Sequence, residues 1–182
     1  MGMFFEELNS QAREYMLREF MTEQESDKPY RSPILTATGL AVFPEVMAQA
    51  INLGNEQTLT TALANPAYWS STETYNLKGV LRDRKINYRQ AAERLCLTEF
   101  NVWYVRGLAR LLLNAGISTC EIYRASEPKW APAECSGHEG QIASVQEVYN
   151  GHRARYWPTP GNPAAFSIPF GPGCHHSIRR VR

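Results

Sequence analysis

The sequence predicts an α+β fold: a helical first two-thirds built around a long central helix, then a small β segment rich in proline and glycine. Three observations carry this expectation. Apolar residues recur at helical spacing in several stretches before residue 115. The run from Asn87 to Asn114 is the longest of them. After Gly116 the texture turns to alternation and turn residues, and seven of the eleven prolines lie beyond that point. The expected division is a helical region over residues 1–116 and an irregular β-rich region over 117–182, packed on the helices as one domain.

Each element has its own signal. Phe5, Leu8, Ala12, Met16 and Phe20 form one stripe of an amphipathic helix between Phe4 and about Glu25. Pro29 and Pro33 make the next stretch a connector, because proline denies the backbone helical donors and biases the preceding residue to extended conformations. Pro44 suits the first turn of a second helix with Val46, Met47, Ala50 and Ile51 buried, and Gly54 is placed for a left-handed stop. Asn55 then caps a third helix carrying Leu59, Ala62 and Leu63, which ends at Asn65-Pro66.

Residues 67–85 lack clean periodicity and read as a loop or hairpin. Asn87, with Gln90 three residues on, opens the central helix, and Gly116 closes it. Cys96, Phe100, Trp103, Gly107 and Leu111 make its buried stripe, while Glu99, Arg106, Arg110 and Asn114 fall on a polar one. A glycine inside so apolar a helix signals close approach of another backbone, or a bend. Thr119 to Arg124 alternates as a strand, Gln141 to Tyr149 suits a strand or a short helix, and Phe166 to Ile168 and Ser177 to Val181 read as strands.

Composition narrows the class. With 182 residues, 43% hydrophobic, 20% charged and a net charge of +1, the chain belongs among ordinary globular proteins and has no overall basic excess to announce nucleic-acid binding. The longest strongly apolar stretch, Leu108 to Leu113, contains Arg110 and falls far short of a bilayer span, so no membrane partner is expected. The N-terminus lacks the pattern of a secretory signal, and the scattered cysteines lack that of a secreted disulfide framework. Synthesis in the cytoplasm is the expectation.

All four histidines and three of the four cysteines fall between Cys120 and His176. Cys135 and His138 stand three residues apart, a spacing at which a tight turn puts both on one Zn²⁺. Cys174 and His176 supply further donors, so the candidate set for a structural zinc is Cys120, Cys135, His138, Cys174 and His176. The competing reading is a set of buried thiols and hydrogen-bonded imidazoles. Neither the deaminase pattern nor His-Glu-x-x-His is present, and a thiol nucleophile, Cys135 or Cys174 beside a histidine, stays open. Arg153, Arg155 and Trp157 interleave cations with an aromatic, and Arg179 and Arg180 add charge near the end. These five are the candidates for contact with DNA or an acidic partner surface, against a reading as solvated arginines. Trp103, Trp130 and Trp157 suit core or interface anchors.

The order of features from residue 91 onward resembles the C-terminal motif of phage minor head proteins, the Mu F-like head-morphogenesis family. The residues are Thr98-Glu99-Phe100-Asn101 on the long helix, Gly116 to Cys120, Cys135-Ser136-Gly137-His138-Glu139-Gly140-Gln141, and Ile168 to His176. The family's terminal His-Pro-Asn-Cys-Arg-Cys is replaced here by Gly-Pro-Gly-Cys-His-His. The resemblance implies a non-enzymatic virion protein in a minor head, connector or decoration role, assembled in the host cytoplasm beside portal and capsid proteins, with access to packaged DNA. The rivals from other classes are a small zinc- or thiol-dependent hydrolase, nuclease or toxin-like, and a nucleic-acid-binding module.

Overall fold

Asn9 decides where the first helix begins. Its side chain accepts a hydrogen bond from the Ala12 amide at 2.9 Å, so α1 runs Ser10–Gln24 and the preceding Phe5 and Leu8 reach the core from an irregular arm. That arm is fastened to the stretch that follows the central helix: the Phe4 amide donates to the Ala125 carbonyl, and the Tyr123 hydroxyl donates to the Phe4 carbonyl, both at 2.7 Å. The computed structural model describes residues 2–127, 136–171 and 173–182. Among them are five helices and five strands.

α2 spans Ala37–Leu53, starting well before the expected position because Thr36 caps it by accepting from the Gly39 amide. Pro44 therefore sits inside the helix instead of in its first turn, and burial of Phe43, Met47, Ala50 and Ile51 holds the helix through the missing donor. Gly54 ends α2, but at φ −124° and not in the left-handed region. Asn55 caps α3, Glu56–Ala62, by accepting from the Gln57 and Thr58 amides. A short 3-10 turn, Pro66–Tyr68, leads to the hairpin β1, Thr72–Leu77, and β2, Val80–Lys85. α4, Tyr88–Asn114, is capped by Asn87 and runs about 40 Å. It closes where the Ile117 amide donates to the Leu112 carbonyl around Gly116 at φ +73°.

α4 is the axis of the molecule. α1 lies along it, and Gly107 is what lets the two approach: a Cβ placed there would stand 2.5 Å from the Met16 backbone nitrogen. Phe20 meets Trp103 edge-on at 5.2 Å between ring centroids, and Phe5 packs against Phe100 and Tyr104. On another side α4 carries the C-terminal region: β3 (Thr119–Arg124), β4 (Ile142–Ser144), α5 (Val145–Asn150) and β5 (His176–Arg180). The three strands form an antiparallel sheet in the order β4-β3-β5, with Ile122 opposite Ile178, both buried. Asn101 of α4 donates to the His176 carbonyl at 2.8 Å, tying helix to sheet. One apolar core runs through both regions.

The stretch 141–149 resolves as a strand followed by a helix, with Ser144 capping α5. Phe166 to Ile168 is not a strand. It joins neither sheet among the described residues, and Ser167 and Ile168 are instead buried beside Pro169, whose carbonyl accepts from the Ser167 hydroxyl. Among the described residues no helix is long and apolar enough to cross a membrane.

Candidate functional site

Inside α4, Glu99 lies three residues after Cys96 and four before Trp103, so it stands where the polar stripe borders the buried one. There it is covered by the segment after α5. Its two oxygens accept from the Arg153 guanidinium, Nη1 at 2.9 Å and Nη2 at 2.7 Å, in a bidentate pair with both side chains almost fully buried. Arg153 adopts φ +54° to reach it. Around the guanidinium stand the Tyr30 ring at 4.4 Å, the Trp103 ring at 5.2 Å, and the Tyr156 hydroxyl, which accepts from Nη1 at 3.1 Å. Burial resists the charge, yet Glu99 and Glu23 hold Arg153 firmly protonated.

His152 completes this cluster. Its Nε2 lies 3.0 Å from Glu23 Oε2, and burial, reinforced by Arg153 and Arg106, pushes the imidazole down to about 4. It is therefore neutral at pH 7, with Nε2–H donating to the carboxylate. Burial alone would raise Glu23, but the His152 hydrogen bond and the Arg153 charge bring it below the ordinary carboxylate range. An unfolded histidine titrates near 6.5, so the unfolded chain takes up the proton first as pH falls. Stability contributed by neutral His152 is full above pH 6.5 and drains as pH drops toward 4, by roughly 3 kcal/mol. Urea denaturation at pH 7 and pH 4.5 should show this loss, and His152→Gln should flatten it.

Immediately beside the ion pair is a pocket of about 450 Å³. Its walls come from Tyr30, Pro33, Ile34 and Leu95, its floor from Glu99 and Tyr156, and its rim from Glu73, Arg84 and Arg94. Glu73 and Arg84 belong to the hairpin, whose register pairs them directly. Arg84 Nε donates to Glu73 Oε1 at 2.8 Å, while Arg94 Nη2 reaches the same carboxylate only at 3.4 and 3.5 Å. Among the described residues the hairpin packs extensively on no other helix or strand, and it meets α4 where Glu73 faces Arg94. A two-residue turn, Lys78 at φ +53° and Gly79 at φ +85°, folds it back. Near that turn Leu77, Val80 and Leu81 are 43%, 56% and 72% exposed.

No family model, curated protein or solved structure matches the chain. The site must stand on its own geometry.

The residues singled out in the sequence separate in space. Cys120 opposes Arg180 and His176 opposes Arg124, so Cys120 and His176 lie four positions apart along the ladder, about 13 Å. Cys120 is wholly buried, its thiol pushed up to about 12 by burial, and the ladder carries it away from His176. Cys174 and His176 do meet, with Sγ 3.9 Å from Nδ1, and burial lowers the His176 imidazole while Glu139 lies 3.6 Å from its Nε2. His138 stacks on Phe170 and its Nδ1 shares a hydrogen bond with Gln141. Cys135 and Trp130 lie outside the described residues. Among the described residues no three His, Cys, Asp or Glu side chains converge where a metal ion would sit.

Of the expected surface cations Arg153 is buried, and Arg155, Arg179 and Arg180 are engaged by neighbouring groups of the same chain. Arg153 is no surface contact: it is buried on Glu99. Arg155 donates to the Ala165 carbonyl and lies over Phe170, and Trp157 donates to the Lys28 carbonyl beside the Tyr30 ring. Arg179 bridges Glu121 and Glu6, and Arg180 pairs with Glu7 while staying half exposed. The charge run at the C-terminus is thus a clasp on acidic residues of the N-terminal arm. Sequence spacing gave no sign of this, because the partners are 173 positions apart. The pocket rim was missed for a related reason: Glu73, Arg84 and Arg94 become one group only when the hairpin folds against α4.

Proposed function

We propose that the protein is a structural virion component of a phage head or neck, acting by contact with portal or capsid proteins through its β1–β2 hairpin. The supporting observation is the hairpin itself. Two strands alone are marginal in water, and here both are edge strands with unpaired backbone groups, ending in an apolar tip that no other element covers among the described residues. Edges of this kind gain their missing hydrogen bonds by adding a strand from another chain. The remainder of the molecule suits a rigid base, because its buried ion pairs and terminal clasp fix the segment that follows α4.

Mass spectrometry of purified particles released from cells carrying the gene should find the chain at a fixed ratio to the portal or capsid protein. Replacing Leu77, Val80 and Leu81 together by serine should leave the melting temperature within a few degrees, since these side chains are exposed, and reduce incorporation at least tenfold. A chain absent from particles overturns the proposal, and so does unchanged incorporation of the serine variant.

A further inference from the structure

The pocket under the hairpin has a chemistry more specific than that of an apolar cleft. Its volume, about 450 Å³, is in the range that accepts a large side chain or small ligand. The wall is apolar and aromatic. The floor is electrically quiet, because both oxygens of Glu99 are satisfied by Arg153. At the mouth, two guanidinium groups share the single carboxylate of Glu73, which leaves one positive charge without a paired acid among the described residues.

The two arginines are not equivalent. Arg84 is engaged at 2.8 Å and lies over the Tyr75 ring at 5.0 Å, so its position is set by the hairpin. Arg94 rises from α4 with only the long contacts to Glu73 as side-chain hydrogen bonds among the described residues, and its side chain is 43% exposed, so its remaining N–H donors are open to a further acceptor. Arg82 continues the row: it stands two positions before Arg84 on the same face, opposite Tyr75, and leads toward Val80 and Leu77 at the tip. A track of cations with one acid thus runs from an apolar hole to an apolar edge.

We infer that this pocket binds an acidic segment of the docking partner, with an apolar side chain in the hole and a carboxylate on the fork of Arg94. The inference rests on the docking role for the identity of the occupant, and on charge complementarity for its chemistry. Arginine favours a planar carboxylate because paired N–H groups meet both oxygens, and an apolar wall beside the fork shields that contact from water.

The test is an NMR titration of the full chain, reading arginine Nε–H and backbone amide signals. Its probes are two capped peptides, acetyl-Asp-Leu-Phe-amide and acetyl-Asn-Leu-Phe-amide, and a thymidine hexanucleotide. The acidic peptide should shift Arg84, Arg94, Leu95 and Thr98 together and bind at least tenfold more tightly than the asparagine peptide. Arg94→Gln should erase that discrimination, and Arg84→Gln should weaken it, with melting temperatures recorded for both. Equal affinity for the two peptides, shifts centred elsewhere, or displacement of the acidic peptide by the oligonucleotide would each overturn the inference. A chain found in particles that does not discriminate the peptides sinks this inference and spares the docking role. A chain that discriminates them yet never enters particles does the reverse.

Discussion

Replacing Glu99 by alanine is expected to lower the unfolding free energy by about 4 kcal/mol, a large share of what a domain of this size has. The cause is the partner left behind. Arg153 stays charged in an almost sealed site, where its remaining anion, Glu23, lies 3.5 Å from Nε and is already engaged by His152. The tyrosine and tryptophan rings soften the isolation without neutralising it. Replacing both members, Glu99→Leu with Arg153→Met, should recover most of the loss, because buried pairs are often matched by apolar residues of similar volume. Equilibrium urea denaturation of the two single variants and the double variant measures this directly. A loss under 1 kcal/mol for Glu99→Ala, or a double variant no more stable than the singles, would show that the pair is not a buried charge couple.

Where a local signal exists, the sequence was legible. Asn55 and Asn87 each cap the helix that follows, and Gly116 takes the left-handed turn that ends α4, whereas the cap at Asn9 was read as part of a helix starting at Phe4. Strands β3 and β5 were readable because alternation is local, whereas α2 was started too late because a proline at its eighth position looked like a first-turn proline. Burial of a charge was not legible. Glu99 repeats with Arg106, Arg110 and Asn114 on one helical stripe, yet the segment from Gly151 to Tyr156 covers its end of that stripe. Arg106 shows the intermediate case, pairing with Glu19 and donating to the Tyr149 carbonyl at the boundary.

For the candidate site the difference was larger. Clustering of histidine and cysteine along the chain pointed to the region after α4, but β3 carries Cys120 away from Cys174 and His176. The pocket draws instead on the connector, the hairpin, the first half of α4 and Tyr156, four stretches without a common motif. Such a site comes from tertiary arrangement. It becomes visible only after the bidentate ion pair has fixed Tyr156 and Tyr30 against the helix.

Gly107→Ala is expected to destabilise the protein by about 2 kcal/mol, although alanine is the better helix former by about 1 kcal/mol. The new methyl would meet the Met16 backbone nitrogen at 2.5 Å, its Cγ at 2.6 Å and its Cα at 2.7 Å. A flexible side chain could swing aside, but two of these three atoms belong to the α1 backbone. The helix itself has to retreat, and doing so opens the edge contact of Phe20 on Trp103 and loosens the wall around Arg153. Gly107→Val should exceed the alanine effect, because its branches add to the same clash. Met16→Ala supplies the discriminating control, since it removes Cγ and leaves the nitrogen and Cα in place. It should fail to rescue Gly107→Ala in denaturation midpoints. A stabilised alanine variant, or full rescue by Met16→Ala, would mean that side-chain crowding and not backbone contact sets the distance between α1 and α4.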